Sequence, residues 1–467
     1  MIKLEKINHF VGSRIARLIV LGVFVAQAVI LAFTMHVGVP PDENNHIQFT
    51  QYYAQHSVSP FFSHQTPTFN LGDKTREVDY MYAYLTSLLY RISPLSDHAN
   101  VIMLRLLTVA TALLTMVLLA RLFKKLGASN SVITVGLLAL TNLPMVLMLS
   151  SAVNNDVFVW LGTILGLLLV VKLWREPTLV TFLWIATVAA LGGLFKRDLF
   201  VLSVVLAVLA VAIVIKKRQQ FFASFKRQNW QVIVASLVLI MSVGLFVERV
   251  GGNIIDYGSI APSCNAVQGE KACSVFWGNQ RDIDFATKNP AAFHRWVGPA
   301  HYDNSLMSPV LFVVRWASDS FYNNVDIQTQ GWHHEVSPSL ALVAFLGAIF
   351  LALIVTAIWY DIRHRAEPGA KMRLIVMATA WVYAASQLIV NYSTYRHYHI
   401  YGVALNGRYI LPSIFIMSLL GAYATSQILR KRPVWLLIIS VIVCLTVILG
   451  SGILLMFSNS QLFTGQY

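Results

Sequence analysis

Two acids and an imidazole open the polar stretch after the first apolar run: Asp42, Glu43 and His46, in VGVPPDENNHIQFTQYY. Pro40 and Pro41 stop the preceding helix and suit the first turn of a new one. On that helix Asp42 and His46 stand at i and i+4 and share a face. A carboxylate backed by a second acid and an imidazole can act as a general base with a supporting partner, or contribute to a cation site. Helix-start chemistry is the plainer reading, since acids in a first turn complement the helix dipole. Spacing alone leaves both open.

Cations capable of holding a phosphate occur apart from the main basic clusters: Arg105 in VIMLRLLTVA, Lys196-Arg197-Asp198 in GGLFKRDLF, and Arg396 and Arg408 in the polar segment NYSTYRHYHIYGVALNGR. Arg grips a phosphate bidentately and Lys acts as a point charge. Snorkelling to lipid headgroups, with Asp198 offsetting one charge, accounts for Lys196 and Arg197 as well. In Ser150-Ser151-Ala152-Val153-Asn154-Asn155-Asp156, Asn155 or Asp156 reads first as the cap of the helix that follows. His333-His334-Glu335 is a poor metal site, because adjacent histidines point apart on regular backbone. Asp303, Asp319 and Asp326 lie in the same segment, and Trp277, Trp296, Trp316 and Trp332 suit interfacial anchoring better than sugar stacking. Cys264 and Cys273 share a polar loop and suit a disulfide if that loop faces outward, while Cys444 sits in an apolar run.

The elements that must carry these groups are membrane helices. The chain is 57% hydrophobic and 12% charged, against about 25% charged for a soluble domain, and its mean hydropathy is +0.63. Apolar runs near 18–37, 101–123, 131–149, 156–174, 179–195, 198–215, 230–247, 338–360, 374–391, 410–428 and 434–457 predict an all-α polytopic membrane protein of about 11 spans in a single domain, 1–467. The first run is long and without a small-residue cleavage site, so it reads as an uncleaved span. The net charge of +14 is concentrated in short clusters such as Lys124-Lys125, Lys216-Lys217-Arg218 and Arg430-Lys431-Arg432. Those clusters fall in alternate connections. They place the N-terminus in the cytoplasm by the positive-inside bias and explain the basicity without nucleic acid.

With that orientation three long segments lie outside, about 38–100, 248–337 and 392–409. The first holds two Tyr-bearing interfacial helices, about 42–56 and 79–92. A full crossing by the second would invert the charge bias, so it lies at the surface. The acids and the exceptional cations therefore belong to the outer face.

Pro40-Pro41-Asp42-Glu43-Asn44-Asn45-His46 and Gly407-Arg408-Tyr409-Ile410-Leu411-Pro412 form a PPDExxH element near the N-terminus and a GRYxxP element near the C-terminus. Together they resemble the GT-C superfamily of membrane glycosyltransferases, and especially a bacterial polytopic family that carries both. Gly193-Leu194-Phe195-Lys196 fits loosely a Gly-Leu stretch followed by Lys that such enzymes carry at an outer helix end. The resemblance implies a cell-membrane, multi-pass bacterial enzyme of the cell envelope. It would move a sugar from a polyprenyl-phosphate donor to an extracytoplasmic acceptor hydroxyl with inversion. Asp42 is then the first choice as base and Glu43 the second, with His46 supporting. Asn155 and Asp156 would help to line the cavity, and Lys196, Arg197, Arg408, Arg105 and Arg396 are the donor-phosphate candidates. The acceptor is a glycan, a lipid-linked saccharide or a protein. No cofactor is assigned, and the acid cluster permits a divalent metal without requiring one. A transporter or flippase of lipid-linked saccharides is the alternative. It would carry polar residues through the membrane depth and often internal repeats, whereas here they gather at outer helix ends.

Overall fold

The computed structural model describes residues 2–40, 42–56, 76–225, 230–274, 306–325, 340–367, 369–399, 401, 407–432, 434–436 and 438–442. Among them the fold is helical, and eight helices are long and apolar enough to cross a membrane: Arg14–Thr34, Asp97–Lys125, Asp156–Arg175, Leu199–Lys216, Trp230–Tyr257, Ala344–Arg363, Ala370–Tyr398 and Gly407–Lys431. Leu179–Phe195 is a shorter apolar helix. The expected span 434–457 lies largely outside the described residues.

One expected span departs from a straight rod. The run predicted over 131–149 folds as Asn130–Thr141 and Pro144–Ser150, bent by 75°. Pro144 brings no N–H and disfavours helical backbone at the residue before it. Leu143 accordingly sits in the extended region at φ −66°, ψ 129°.

The two interfacial helices form as Glu43–His56 and Met81–Ile92 and pack on each other. Thr50 and Thr86 share a buried hydroxyl contact of 2.8 Å, and Arg91 donates to the Tyr53 and Ala54 carbonyls that end the first helix. The pair thus closes its own polar groups rather than leaving them to lipid.

The chain forms two compact units, each discontinuous in sequence. The first comprises Met1–Pro41, Arg105–Ala152 and Asp303–Tyr467. Its most buried span, within Gly407–Lys431, packs against Leu340–Arg363, Ala370–Tyr398 and Asn130–Thr141. Gly421 permits that closeness, because a Cβ there would lie 2.6 Å from the Leu353 carbonyl oxygen. Small residues at such crossings let helix backbones approach where lipid supplies no hydrophobic drive.

The second unit comprises Asp42–Leu104 and Val153–Tyr302. Leu179–Phe195 packs against Asp156–Arg175, Leu199–Lys216 and Trp230–Phe246. The last of these continues through a π-helical turn, Val247–Gly251, into Gly252–Tyr257. Beyond it Cys264 and Cys273 are joined as a disulfide, as their shared loop suggested.

Candidate active site

Asp42 and Glu43 belong to the second unit and have sharply different surroundings. Asp42 stands at φ 62°, a left-handed conformation that disfavours residues with a Cβ, although Asp tolerates it better than most. Such strain is of the order of 1–3 kcal/mol and concentrates at functional positions. Its carbonyl accepts the His46 N–H at 3.0 Å, so Asp42 begins the helix. Its side chain is half-buried, whereas Glu43 is fully buried. Glu43 Oε1 accepts the Val153 backbone N–H at 2.9 Å and ties the interfacial helix to the start of the 153–156 turn.

That turn carries the next polar groups. Asn154 Oδ1, rather than Asn155 or Asp156, accepts an N–H at the helix start, that of Asp156, at 2.6 Å. Asn155 occupies the cap position without a side-chain cap bond. It donates from Nδ2 to the Phe195 carbonyl at 3.4 Å, and its buried Oδ1 has no partner among the described residues. Asp156 forms a buried ion pair with Lys196, which also lies 3.9 Å from Asp198. Lys196 is extended and ends the Leu179–Phe195 helix. Arg197 is the exposed member of its pair, 4.0 Å from Asp79.

His46 is half-buried and meets Tyr82 edge-on, with ring centroids 5.4 Å apart. The contact continues through Phe158 at 5.4 Å to Phe195 at 5.2 Å, the residue before Lys196. This aromatic row links the first-loop helix to the end of Leu179–Phe195 by edge-to-face and stacked packing. Asp42, His46, Asp156, Lys196 and Arg197 are therefore carried by elements that hydrogen-bond or pack within one unit. Among the described residues no three His, Cys, Asp or Glu side chains converge as a metal site.

Residues 78–246 match the family described as Dolichyl-phosphate-mannose-protein mannosyltransferase. The matched segment takes in Asp79, Tyr82, Asn155, Asp156, Lys196 and Arg197, and the GT-C resemblance expected from the end motifs is met over this middle portion. The two end motifs lie outside it. No curated protein matches. Among solved structures, the oligosaccharyltransferase AglB of Archaeoglobus fulgidus, in complex with an inhibitory peptide and a dolichol-phosphate, is similar at 11% identity and a TM-score of 0.47, over 95% of this chain and 55% of that one. The apo form of the A. fulgidus oligosaccharyltransferase gives 11% identity and 0.42, over 94% and 55%. The chain thus spans about half the length of the solved structures it matches.

The remaining expected cations belong to the first unit. Arg105 is fully buried, and its guanidinium donates to the carbonyls of Ala32 at 3.0 Å, Met35 at 2.7 Å and His36 at 3.3 Å. It therefore closes the carbonyl end of the first span, where a cation suits the helix dipole. Arg396 is exposed in the last turn of Ala370–Tyr398. Arg408 is buried on the 3₁₀ turn Gly407–Ile410, with its guanidinium 5.2 Å from the Tyr409 ring.

Sequence reasoning missed a polar network in the second unit. Arg249, on the π-helical turn, is fully buried, stacks on Tyr80 at 3.9 Å and donates to the Glu77 carbonyl at 2.6 Å. Arg76 pairs with Glu248 at 2.8 Å and donates to Asn253 at 2.8 Å. Together they fasten 76–80 to the end of Trp230–Tyr257, and so set Asp79 and Tyr82. The only available signal was the charged Glu248-Arg249 pair at the end of an apolar run. In the first unit Ser320, Asn323 and Asn324, buried against Gly407, were missed as well.

Proposed function

We propose that this chain is an inverting glycosyltransferase of GT-C type that moves a sugar from a polyprenyl-phosphate donor to an extracytoplasmic acceptor hydroxyl. One observation carries the reading: residues 78–246, which hold the Asp156–Lys196 pair and Arg197, match a family named for mannosyl transfer from a dolichyl phosphate. The first-loop geometry supports it. Asp42 is held at a strained helix start beside a buried acid that is already committed to the backbone.

In this reading Asp42 takes the acceptor hydroxyl proton. The acceptor oxygen forms the new bond to the anomeric carbon, and the bond from that carbon to the donor phosphate oxygen breaks. The polyprenyl phosphate leaves with the electron pair, so the anomeric configuration inverts. Arg197 stabilises the departing phosphate charge, as preorganised cations do for developing anions, while the Lys196–Asp156 pair fixes the turn that presents it. Glu43 and His46 position the base. An already activated lipid-linked donor removes any need for a nucleotide at the site. The N-terminus is cytoplasmic and the site extracytoplasmic, consistent with the basic clusters in alternate connections.

The test uses purified protein in liposomes, supplied with radiolabelled polyprenyl-phosphate sugars and cell-envelope acceptors. Label appearing in a glycosidic product supports the enzyme. Movement of intact lipid-linked sugar between leaflets with no new glycosidic bond contradicts it and favours a flippase.

A further inference from the structure

The second unit has a polar end remote from Asp156 and Lys196. The helix Asp156–Arg175 runs 20 residues. At the helical rise that is about 30 Å, the thickness of the hydrocarbon core. Asp156 opens the helix, and Trp174 and Arg175 close it, so its two ends stand at opposite membrane surfaces. At the Arg175 end three helix termini come together. Lys217 donates to the Trp174 carbonyl. The Leu179 N–H, at the start of Leu179–Phe195, donates to Ser224 Oγ at 3.3 Å. Phe221 is buried and meets Phe182 edge-on, with ring centroids 5.9 Å apart. These contacts fasten the short helix Arg218–Ser224, which follows Leu199–Lys216, to the ends of its two neighbours.

Charge at this end is one-sided and gathered. Over 172–179 and 213–225, Lys172, Arg175, Lys216, Lys217 and Arg218 stand against a single acid, Glu176. Lys216 Nζ lies 4.9 Å and Lys217 Nζ 5.3 Å from the centroid of the same Trp174 ring. Two ammonium groups held at one indole repel each other, and the ring quadrupole offsets only part of that repulsion. Lys217 also closes a helix carbonyl, where a cation suits the dipole. Lys216 and Arg218 are exposed. The positive-inside bias accounts for basic residues at this end, but it does not require two of them to converge on one ring. An anion placed among them turns the repulsion into attraction. The neighbouring aromatics indicate which anion. Phe222 is 60% exposed and stacks on Phe225 at 5.7 Å. An exposed aromatic beside cations at a helix end sits at the boundary of headgroups and acyl chains, so these cations lie at the level of the lipid phosphates.

We infer that Lys216, Lys217 and Arg218, gathered at Trp174, bind the phosphate of an anionic phospholipid in the leaflet opposite the Asp156–Lys196 pair. Arg218 offers a planar fork to the phosphodiester and the lysines act as point charges. Phe222 meets the acyl chains. A zwitterionic headgroup brings its own ammonium and answers the cluster less well. With the N-terminus inside, this is the cytoplasmic leaflet. The site needs only the membrane architecture and stands whether or not the chain transfers sugar. Lipid held there joins the ends of Asp156–Arg175 and Leu199–Lys216, and stabilises the folded chain by mass action.

The experiment titrates the full chain, purified in detergent, with phosphatidylglycerol or phosphatidylcholine. Bound lipid is counted by native mass spectrometry, and thermal unfolding is followed in parallel. Phosphatidylglycerol should bind at least about tenfold tighter than phosphatidylcholine and raise the melting temperature further. The double variant Lys216→Gln, Arg218→Gln should cut that preference by about 5- to 10-fold, leave phosphatidylcholine binding unchanged and lose the extra thermal protection. Lys217 is left in place because it also holds the Trp174 carbonyl. Arg121→Gln, Lys124→Gln removes the same charge from two exposed residues near the end of Asp97–Lys125 and should keep the preference intact. An undiminished preference in the first double variant, an equal loss in both, or equal affinity of wild type for the two lipids overturns the site. Displacement of the lipid by an equal concentration of soluble glycerol phosphate overturns it in favour of a water-borne anion. Sugar transfer is scored separately on the same preparations. Its absence overturns the enzyme and leaves the lipid site, and transfer without lipid preference does the reverse.

Discussion

Glu43 Oε1 accepts the Val153 backbone N–H at 2.9 Å, and this contact gives two adjacent acids different surroundings. Glu43 is buried on a backbone amide, whereas its half-buried neighbour Asp42 stands on a left-handed backbone, and the proposed base is Asp42. Glu43→Gln keeps an oxygen for Val153 and is expected to keep both stability and most of the turnover. Glu43→Ala leaves the amide unpaired and should cost about 1–3 kcal/mol, seen as a lower melting temperature in lipid nanodiscs. Equal loss of turnover in both variants, at unchanged stability, would instead make Glu43 chemical.

The buried Asp156–Lys196 pair predicts strong coupling. Removing one partner strands a charge at about 3–5 kcal/mol, while removing both is far less costly. Lys196→Met and Asp156→Leu should each destabilise strongly, and the double variant should recover much of the loss. Additive losses across that double-mutant cycle would mean that the pair is not formed.

Burial pushes the Tyr80 hydroxyl up to about 12, with the nearby Arg249 guanidinium opposing the shift. Tyr80 should therefore still be protonated at pH 11, where an exposed tyrosine near pKa 10 is largely ionised. Titration followed by tyrosinate absorbance should show a late component that shrinks by one residue in Tyr80→Phe, the remainder coming from other buried tyrosines such as Tyr53, whose hydroxyl burial also pushes up. An unchanged late component would place Tyr80 in contact with solvent.

With three cysteines in the chain and Cys264 bonded to Cys273, one thiol should react with a maleimide in denatured, unreduced protein and three after reduction. Intact mass reads both numbers. Three reactive thiols before reduction would remove the disulfide, and with it one support for an outward-facing loop.

Much of this architecture was legible because lipid leaves few choices. Long apolar runs must become helices, and ten of the eleven predicted runs coincide with apolar helices or with the bent pair. Pro144 carried a visible signal for the bend, overridden by the hydrophobicity of its neighbours. The acid pair and the two cysteines were legible from residue type and local spacing. Arg249 was not, because its partners Glu77 and Tyr80 are about 170 positions earlier and meet it only after folding. The same holds for Arg105, whose charge suggested phosphate but whose donors close the end of the first span. Ser320, Asn323 and Asn324 had helical spacing, yet their burial against Gly407 is a property of packing that spacing does not reveal.

The proposed role of Asp42 as the base of a sugar transfer is tested by single-turnover assays of wild type, Asp42→Asn and Glu43→Gln with a radiolabelled polyprenyl-phosphate sugar. Asp42→Asn should bind the donor as wild type does but transfer at least about 100-fold more slowly, the scale of a lost general base, while Glu43→Gln should stay within a few-fold of wild type. Undiminished transfer by Asp42→Asn would contradict it.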